Sequence, residues 1–220
     1  MAEDSVRNHG VVGSKWSDAL RCRIKASFQG NPTRPIGVIQ IPSKISVPIA
    51  EILENKISIH RGFDELAEKS FGKRDDKRLE MSFTEALYLV GKKRIDVRRG
   101  KKKLSFKDLM GFALRKDPRV HEKYAVYNDL RERGLVVKTG FKFGCDFRVY
   151  ERGVGVKKGP KTPKEHTKWI VFTVPEDYTC SFAELSRAVR LAHSIRARML
   201  WAVVDNENDI TYFEVVRVKP

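Results

Sequence analysis

The last third of the chain contains the stretch KTGFKFGCDFRVYERG at residues 138–153. Aromatic and β-branched residues recur in it between glycines, a composition typical of short strands. Similar apolar runs follow, and together they predict five strands, at residues 135–138, 142–150, 169–174, 199–205 and 210–218. This part of the chain is therefore predicted to contain a sheet.

Two helices accompany the predicted strands. One is predicted at residues 118–133, because Pro118 suits a first helical position and Gly134 suits a helix stop. The other begins at Ser181, which forms a capping-box pattern with Glu184 ahead of an apolar face. Polar residues 206–209 predict a turn between the last two strands. We therefore expect residues 117–220 to form an α/β domain with a mixed central sheet flanked by helices.

The earlier residues indicate a second, mixed domain. Residues 1–15 are polar and poor in core-forming side chains, which predicts a disordered N-terminus. Residues 16–116 are predicted to form an α+β domain with strands at 21–28 and 36–41 and helices at 63–71, from Ser82 and from Ser105. Residues 98–103 form a basic turn between the last two helices. A solvated loop is the favoured interpretation of this turn, and an RNA phosphate contact is the alternative.

The charge of the chain favours a polyanionic partner. It has 44 lysines and arginines against 28 acidic residues, which gives a net charge of +16 at pH 7. Nucleic acid is the default partner of such a surface. A solvated, lysine-rich surface without such a partner is the alternative.

Cysteine spacing and hydropathy exclude other classes. The three cysteines lie far apart without a CxxC pair, which argues against a zinc site and against a disulfide framework. The apolar runs are too short to span a membrane, and no signal-peptide pattern opens the chain. We therefore expect a cytoplasmic protein with no membrane partner.

Three local patterns carry a resemblance to a known family. They are RVYERG ending at Gly153, HTKWIV beginning at His166, and RLAHSIRA from Arg190 to Ala197. In these patterns the chain resembles the catalytic domain of the archaeal tRNA-splicing endonucleases (tRNA-intron lyases). The resemblance is strong over residues 81–220. The fold class that we expect is an α+β N-terminal domain followed by an α/β, restriction-endonuclease-like C-terminal domain.

The resemblance implies a nuclease that uses neither a metal nor another cofactor. RNA supplies its own nucleophile, the ribose 2′-hydroxyl, so the protein needs a base, an acid and a cation. Tyr150 matches the family's base, and His166 matches the acid that protonates the leaving 5′-oxygen. The implied products carry 2′,3′-cyclic phosphate and 5′-hydroxyl ends. Ala197 occupies the position where the family pattern has its catalytic lysine.

Ala197 makes the activity of this chain an open question. Its methyl group cannot stabilise negative charge, and neighbouring Arg196 and Arg198 are expected to point in different directions. Loss of one transition-state contact lowers the rate about a hundred- to a thousandfold. One explanation is a natural noncatalytic subunit, and the other is a catalytic-type chain with one disabling replacement. We favour the second, because Tyr150 and His166 lie in otherwise good motifs.

The substrate that the resemblance implies is a precursor tRNA with a bulge-helix-bulge. In-line attack needs a geometry that stacked A-form RNA disfavours and an unstacked bulge permits. Arg190 and Arg217 match arginines that clamp a splayed base. The segment before Glu165 resembles the lysine-rich loop of the family's crenarchaeal form, which is expected to contact RNA phosphates, and its lysines are Lys157, Lys158, Lys161 and Lys164. Ordinary surface arginines and a solvated loop are the alternative interpretations.

The family also implies an assembly of subunits. Asp205, Glu207 and Asp209 lie in an acidic turn of the kind that enters a basic cleft on a partner, and residues 210–219 suit a strand that pairs across a dimer axis. We expect a heterotetramer with a structural subunit, with a homotetramer as the alternative. A noncatalytic RNA-binding structural subunit and a basic ribosome-associated protein are the competing hypotheses for function.

Overall fold

Two β-sheets organise the part of the chain that the structure describes. The structure is a computed structural model, and it describes residues 47–75, 77–156, 162 and 165–218. The predicted disordered N-terminus and the predicted strands at 21–28 and 36–41 lie outside these residues. No helix among the described residues combines the length and the apolar character needed to cross a membrane.

The first sheet has six strands in the order β3-β4-β2-β1-β5-β6. Their bounds are β1 (Ile49–Ile52), β2 (Ile57–Ile59), β3 (Lys73–Asp75), β4 (Arg78–Met81), β5 (Asp96–Arg99) and β6 (Lys102–Lys103). β1 and β5 are parallel, and the other pairs are antiparallel. The sequence did not predict β1 to β4, because each has only three or four residues and shows too little alternation.

Three helices pack with the first sheet, α1 (Asp64–Glu68), α2 (Phe83–Gly91) and α3 (Phe106–Lys116). The predicted starts at Ser82 and Ser105 are confirmed, and each serine forms a complete capping box. The helix expected over 63–71 is one short α1, because Ser70 and Gly72 adopt positive φ angles and turn the chain. The core of this region includes Ile57, Leu79 and Leu87, which are fully buried.

The second sheet has five strands in the order β11-β10-β9-β8-β7. Their bounds are β7 (Val136–Thr139), β8 (Phe147–Tyr150), β9 (Trp169–Pro175), β10 (Arg198–Val204) and β11 (Ile210–Val215). β9 and β10 are parallel and the other neighbours are antiparallel, so the predicted mixed sheet is confirmed. The predicted turn at 206–209 joins β10 to β11.

One helix covers each face of the second sheet. Helix α4 (Val120–Glu132) packs its Tyr127 with Phe147 and Val149 of β8. Helix α5 (Phe182–Ser194) packs its Ala188 and Ala192 with Ile170 of β9. Since alternate residues of a strand point to opposite faces, the two helices lie on opposite sides of the sheet. The loop between α3 and α4 contains the predicted domain boundary at residue 117. That division stays a prediction, because every described residue belongs to one compact unit.

Further details of the sequence-based prediction were wrong. The helix predicted at 118–133 is α4, which begins at Val120 after an N-cap at Arg119. The expected strand at 142–150 is only β8, since residues 141–143 form a 3-10 turn and Gly144 has a φ of +64°. The turn requires Gly140, because a Cβ there would lie 2.3 Å from the Cys145 sulfur. At α5, the Ser181 hydroxyl caps the helix, but the Glu184 carboxylate accepts a hydrogen bond from Tyr178 instead of completing the box.

Arg131 of α4 joins the two sheet regions. Its guanidinium carbon lies 4.1 Å from the ring centroid of Phe71, just after α1. The same group donates hydrogen bonds to the Ser70 carbonyl at 3.3 Å, the Val137 carbonyl at 3.2 Å and the Tyr127 hydroxyl at 3.1 Å. Only a planar guanidinium can donate in these directions while stacking on an aromatic ring.

Nearby, Lys138 of β7 donates to the Gly72 carbonyl at 2.5 Å, and burial lowers the pKa of its ammonium group. We call these contacts between residues 69–72 and the second sheet region the seam.

We predict that Arg131→Lys lowers the free energy of unfolding by about 2 kcal/mol, because lysine loses the stacking and most of the carbonyl contacts. Urea-induced unfolding at equilibrium measures this change. Arg133→Lys is the matched control two residues along α4, where an exposed ion pair with Asp129 at 2.7 Å predicts a loss below about 1 kcal/mol. Equal losses in the two variants would contradict the role given to Arg131.

Candidate active site

Three of the candidate site positions lie at one edge of the second sheet. Tyr150 ends β8, His166 precedes β9, and Ala197 precedes β10. Because β8 runs antiparallel to β9, and β10 runs parallel to it, the end of β8 meets the beginnings of β9 and β10. We call this edge the catalytic edge.

Strand register fixes how close two of these positions are. Val149 pairs with Trp169, and Trp169 pairs with Arg198. The ladder continues one residue further, since the Lys168 amide donates to the Val149 carbonyl at 2.9 Å and the Arg198 amide donates to the Lys168 carbonyl at 2.8 Å. The lateral neighbours across the three strands are consequently Tyr150 of β8, Lys168 just before β9 and Ala197 just before β10. With about 4.8 Å between neighbouring strands, the Tyr150 and Ala197 backbones are about 10 Å apart.

Tyr150 is fully buried in this conformation. Phe147 and Val149 pack towards α4, so Tyr150 is placed on the other face of the sheet, where α5 lies. Another molecule can contact the phenol only after neighbouring groups have moved aside. The sequence motif identified the residue but gave no sign of this burial.

His166 is exposed in a bend just before β9. The preceding turn is fixed by Glu165, whose carboxylate accepts hydrogen bonds from the Thr162 amide at 2.8 Å and the Thr162 hydroxyl at 3.0 Å. The Glu165 amide in turn donates to the Thr162 carbonyl at 2.9 Å. These bonds hold the imidazole at the catalytic edge while leaving it accessible to solvent.

The end of α5 fixes the backbone at position 197. The Ala197 amide donates to the Ala192 carbonyl at 2.9 Å, and the Arg196 amide donates to the His193 carbonyl at 3.1 Å. With Arg196 at a φ of +57°, this pair of bonds is a Schellman motif. Ala197 is half-buried against the apolar cluster between α5 and the sheet. The backbone geometry is therefore set by the helix end, independently of the side chain at 197.

Lys168 is a charged residue of the catalytic edge that the sequence reasoning missed as a site candidate. Its ammonium group forms an ion pair with Glu151 and lies 4.7 Å from the Trp169 ring centroid. Its backbone lies between Tyr150 and Ala197 in the row described above. The strand register reveals this position, whereas the motif alone marks only its histidine and its apolar residues.

The four arginines near or beyond the catalytic edge have different surroundings. Arg198 is 3.4 Å from the Glu214 carboxylate on β11, and Arg196 is exposed at the helix end. Arg190 is exposed on the last turns of α5, where its Nε donates to the Ser186 carbonyl at 3.3 Å. Arg217 is exposed beyond β11. Arg190 therefore lies on the helix that leads into the catalytic edge, while Arg217 follows the outermost strand of the sheet.

In the acidic turn, Asp205 fixes the backbone, whereas Glu207 and Asp209 are exposed. The Asp205 carboxylate accepts hydrogen bonds from the amides of Glu207 at 2.9 Å and Asp209 at 2.8 Å. Glu207 and Asp209 are exposed. Asp205 thus shapes the turn that presents the other two carboxylates.

The candidate RNA-binding residues Lys157, Lys158, Lys161 and Lys164 lie outside the described residues. Among the described residues, no group of three or more histidine, cysteine, aspartate or glutamate side chains is arranged to hold a metal ion.

Known proteins match both sheet regions of the chain. Residues 50–110 match the tRNA intron endonuclease N-terminal domain, and residues 120–212 match the tRNA intron endonuclease catalytic C-terminal domain. A tRNA-splicing endonuclease of Thermococcus kodakarensis is 43% identical over 149 residues, covering 68% of this chain and 83% of that protein. The corresponding protein of Thermococcus onnurineus is 38% identical over 177 residues, which cover 77% of this chain and 98% of that protein. That of Nanoarchaeum equitans is 39% identical over 153 residues, 68% and 97% of the two chains.

We predict that Arg196→Gly raises the free energy of unfolding by up to about 1 kcal/mol. A residue with a Cβ is strained at positive φ, and glycine relieves that strain. Arg190→Gly, in the helical part of α5, should lower the same quantity by about 1 kcal/mol, because glycine is unfavourable inside a helix. Thermal unfolding of both variants checks the opposite signs, and a destabilised Arg196→Gly would contradict the assigned helix end.

Proposed function

Because the chain belongs to the tRNA-splicing endonuclease family, we propose that it is a subunit that cleaves precursor tRNA at bulge-helix-bulge intron boundaries without a metal. The observation that carries the proposal is the meeting of Tyr150, His166 and position 197 at one sheet edge. We infer that the ends formed are a 2′,3′-cyclic phosphate and a 5′-hydroxyl, and that the reaction takes place in the cytoplasm.

In the proposed reaction, the Tyr150 phenolate accepts the proton of the ribose 2′-hydroxyl, and the new 2′-oxyanion attacks the adjacent phosphorus. His166 protonates the leaving 5′-oxygen as its bond to phosphorus breaks. Histidine is the side chain most often used as a general acid, and His166 is exposed to solvent. The burial of Tyr150 requires that RNA binding opens the catalytic edge before the first proton is transferred.

Ala197 leaves the proposed site without the cation of the family pattern. Arg198 is engaged by Glu214, and Lys168 is engaged by Glu151, so each already has a carboxylate partner. We therefore propose that this chain is a catalytic-type subunit whose activity is impaired. A noncatalytic RNA-binding structural subunit is the second candidate, and it is favoured by the same Ala197 together with the buried Tyr150.

For RNA recognition, we propose that Arg190 and Arg217 clamp a base that is unstacked at the bulge. Their exposure supports this role. We assign the lysines at 157, 158, 161 and 164 to phosphate contacts, on their charge and their place in the chain next to His166. The C-terminal domain is proposed to be restriction-endonuclease-like, supported by its mixed five-stranded sheet with one helix on each face.

We propose that the subunits assemble through the acidic turn and the last strand. A cavity of about 700 Å³ between α2, α4 and the seam is lined by Lys69, Lys92, Arg94 and Arg131, against two glutamates. Lys92 is paired with Glu132 at 2.9 Å, and Lys69 and Arg94 are paired with Glu65, so an acidic turn donated by a partner subunit would take the place of these carboxylates. β11 is an edge strand, and Phe213, Val216 and Val218 are exposed on it or just beyond it. A heterotetramer of two catalytic and two structural subunits places two sites on one substrate, and a homotetramer is the alternative.

We predict that Ala197→Lys restores or increases metal-free cleavage of a bulged precursor tRNA by at least about tenfold. Transition-state contacts of this kind contribute about a hundred- to a thousandfold. Cleavage is measured in EDTA with and without the structural subunit. In the Ala197→Lys background, Tyr150→Phe and His166→Ala should abolish the gain, while His193→Ala, at an exposed histidine on α5, should keep it. No gain with either assembly would contradict the interpretation of position 197.

We predict that Glu207→Lys weakens subunit association by about tenfold or more, because it places a positive charge opposite a basic cavity. Sedimentation equilibrium measures the association. Glu54→Lys makes the same charge change at another exposed residue, in the turn between β1 and β2, and should leave association unchanged. Equal behaviour of the two variants would remove the acidic turn from the subunit contact.

A further inference from the structure

The β5–β6 hairpin and α3 concentrate positive charge. Residues 96–116 contain eight basic and two acidic side chains, a net charge of +6 out of +16 for the whole chain. Seven of the basic residues are exposed, and one of these seven, Lys103, is ion-paired with Asp96. We call the other six the hairpin surface: Arg99, Lys101, Lys102, Lys107, Arg115 and Lys116.

A stacking contact joins the hairpin to the helix. The guanidinium carbons of Arg99 and Arg115 lie 4.8 Å and 4.5 Å from the ring centroid of Phe112. Arg99 comes from β5 and the other two residues from α3, so the ring holds two positive charges near each other. Contacts of this kind are worth about 0.5–1 kcal/mol each at exposed sites. They make the hairpin and the helix one continuous surface.

The two acidic residues of this segment have partners that do not belong to the hairpin surface. Asp96 forms an ion pair with Lys103 at 2.7 Å. Asp108 accepts hydrogen bonds from the Ser105 amide and hydroxyl in the capping box, and these bonds lower the pKa of its carboxyl group. Within the described residues, none of the six hairpin-surface side chains forms an ion pair. Their charge is therefore available to a partner.

The opposite edge of the same sheet provides a contrast. There, in the β3–β4 hairpin, Arg74 pairs with Asp64 at 3.3 Å, and Arg78 pairs with Glu80 at 2.7 Å. Residues 73–80 carry four basic and three acidic side chains, so positive charge is nearly balanced at the β3–β4 edge and left unbalanced at the β5–β6 edge. A uniformly solvated lysine-rich surface would not predict this difference.

The α3 end of the hairpin surface lies away from the catalytic edge. The chain passes from Lys116 to Arg119, whose guanidinium donates to the Thr173 carbonyl at 3.1 Å. Thr173 is near the end of β9, whereas the catalytic edge is at its beginning. The seven residues of β9 extend about 20 Å. RNA held at the hairpin surface is therefore distant from the bond that is cut.

We propose that the hairpin surface is a second RNA-binding surface, which holds the phosphate backbone of duplex RNA outside the bulges. That this RNA is the body of a precursor tRNA rests on the proposed function. Phosphate contacts by lysine and arginine position a nucleic acid without reading its sequence. RNA is favoured over an acidic protein, because protein interfaces are depleted of lysine at their centres and this surface is lysine-rich.

The test compares two double variants with the same loss of charge. Lys101→Gln with Lys102→Gln alters the hairpin surface, and Lys73→Gln with Lys77→Gln alters exposed residues of the β3–β4 hairpin. Fluorescence anisotropy measures binding to a full-length precursor tRNA and to a minimal bulge-helix-bulge duplex at several salt concentrations. Binding does not require cleavage, so Ala197 does not interfere. Unchanged thermal midpoints verify that both variants are folded.

We expect the hairpin-surface variant to bind the precursor about tenfold more weakly and with a shallower salt dependence, because each lost phosphate contact lowers the slope by about 0.9. Binding of the minimal duplex should stay the same, and the control should bind both RNAs normally. Equal precursor binding by the two variants would overturn the proposal, as would an equal loss on the minimal duplex. A loss of partner-subunit binding instead would identify a protein interface. If the hairpin-surface variant binds the precursor more weakly but Ala197→Lys gives no cleavage, the RNA-binding surface is supported and the proposed function is contradicted.

Discussion

The seam around Arg131 is the contact on which the relative placement of the two sheets depends. Stacking on Phe71 and hydrogen bonds to three separate groups place one guanidinium between α1, α4 and β7. Lys138 adds a hydrogen bond to the Gly72 carbonyl from the neighbouring strand. A buried carbonyl group that lacks a hydrogen-bond donor costs free energy, so these donors stabilise the backbone of residues 69–72.

The seam also reaches the catalytic edge. The Ser70 hydroxyl lies 3.5 Å from the Val154 carbonyl and accepts a hydrogen bond from the Val156 amide at 3.3 Å. These residues follow Tyr150 by only a few positions. On the other side, the buried Glu85 carboxylate accepts hydrogen bonds from the Gly72 amide at 3.0 Å and from the Ser82 amide at 3.1 Å. A single carboxylate therefore both caps α2 and holds the seam, so the start of that helix is coupled to the segment leaving β8.

Local signals explain which parts of the fold could be predicted from the sequence. The helix starts at Ser82, Ser105 and Ser181 were predicted to within a residue, because capping depends on side chains three positions apart. β8 was predicted too long, since the constraint at Gly140 comes from the Cys145 sulfur in a folded turn. The catalytic motifs placed Tyr150 and His166 in the chain. The burial of Tyr150 and the position of Lys168 depend on register across three strands, which no local pattern contains.

At position 197 the backbone geometry does not depend on the chemistry of the side chain. The Schellman motif at the end of α5 uses only main-chain groups of residues 192–197, and the ladder between Lys168 and Arg198 uses only main-chain groups of β9 and β10. Neither depends on what the residue at 197 carries beyond its Cβ. An alanine there can therefore take the place of a cationic residue while the edge keeps its shape. Under the proposed function, the same independence lets a chain of this fold serve either as a catalytic or as a structural subunit, and the choice between the two depends on one side chain and on how far RNA binding exposes Tyr150.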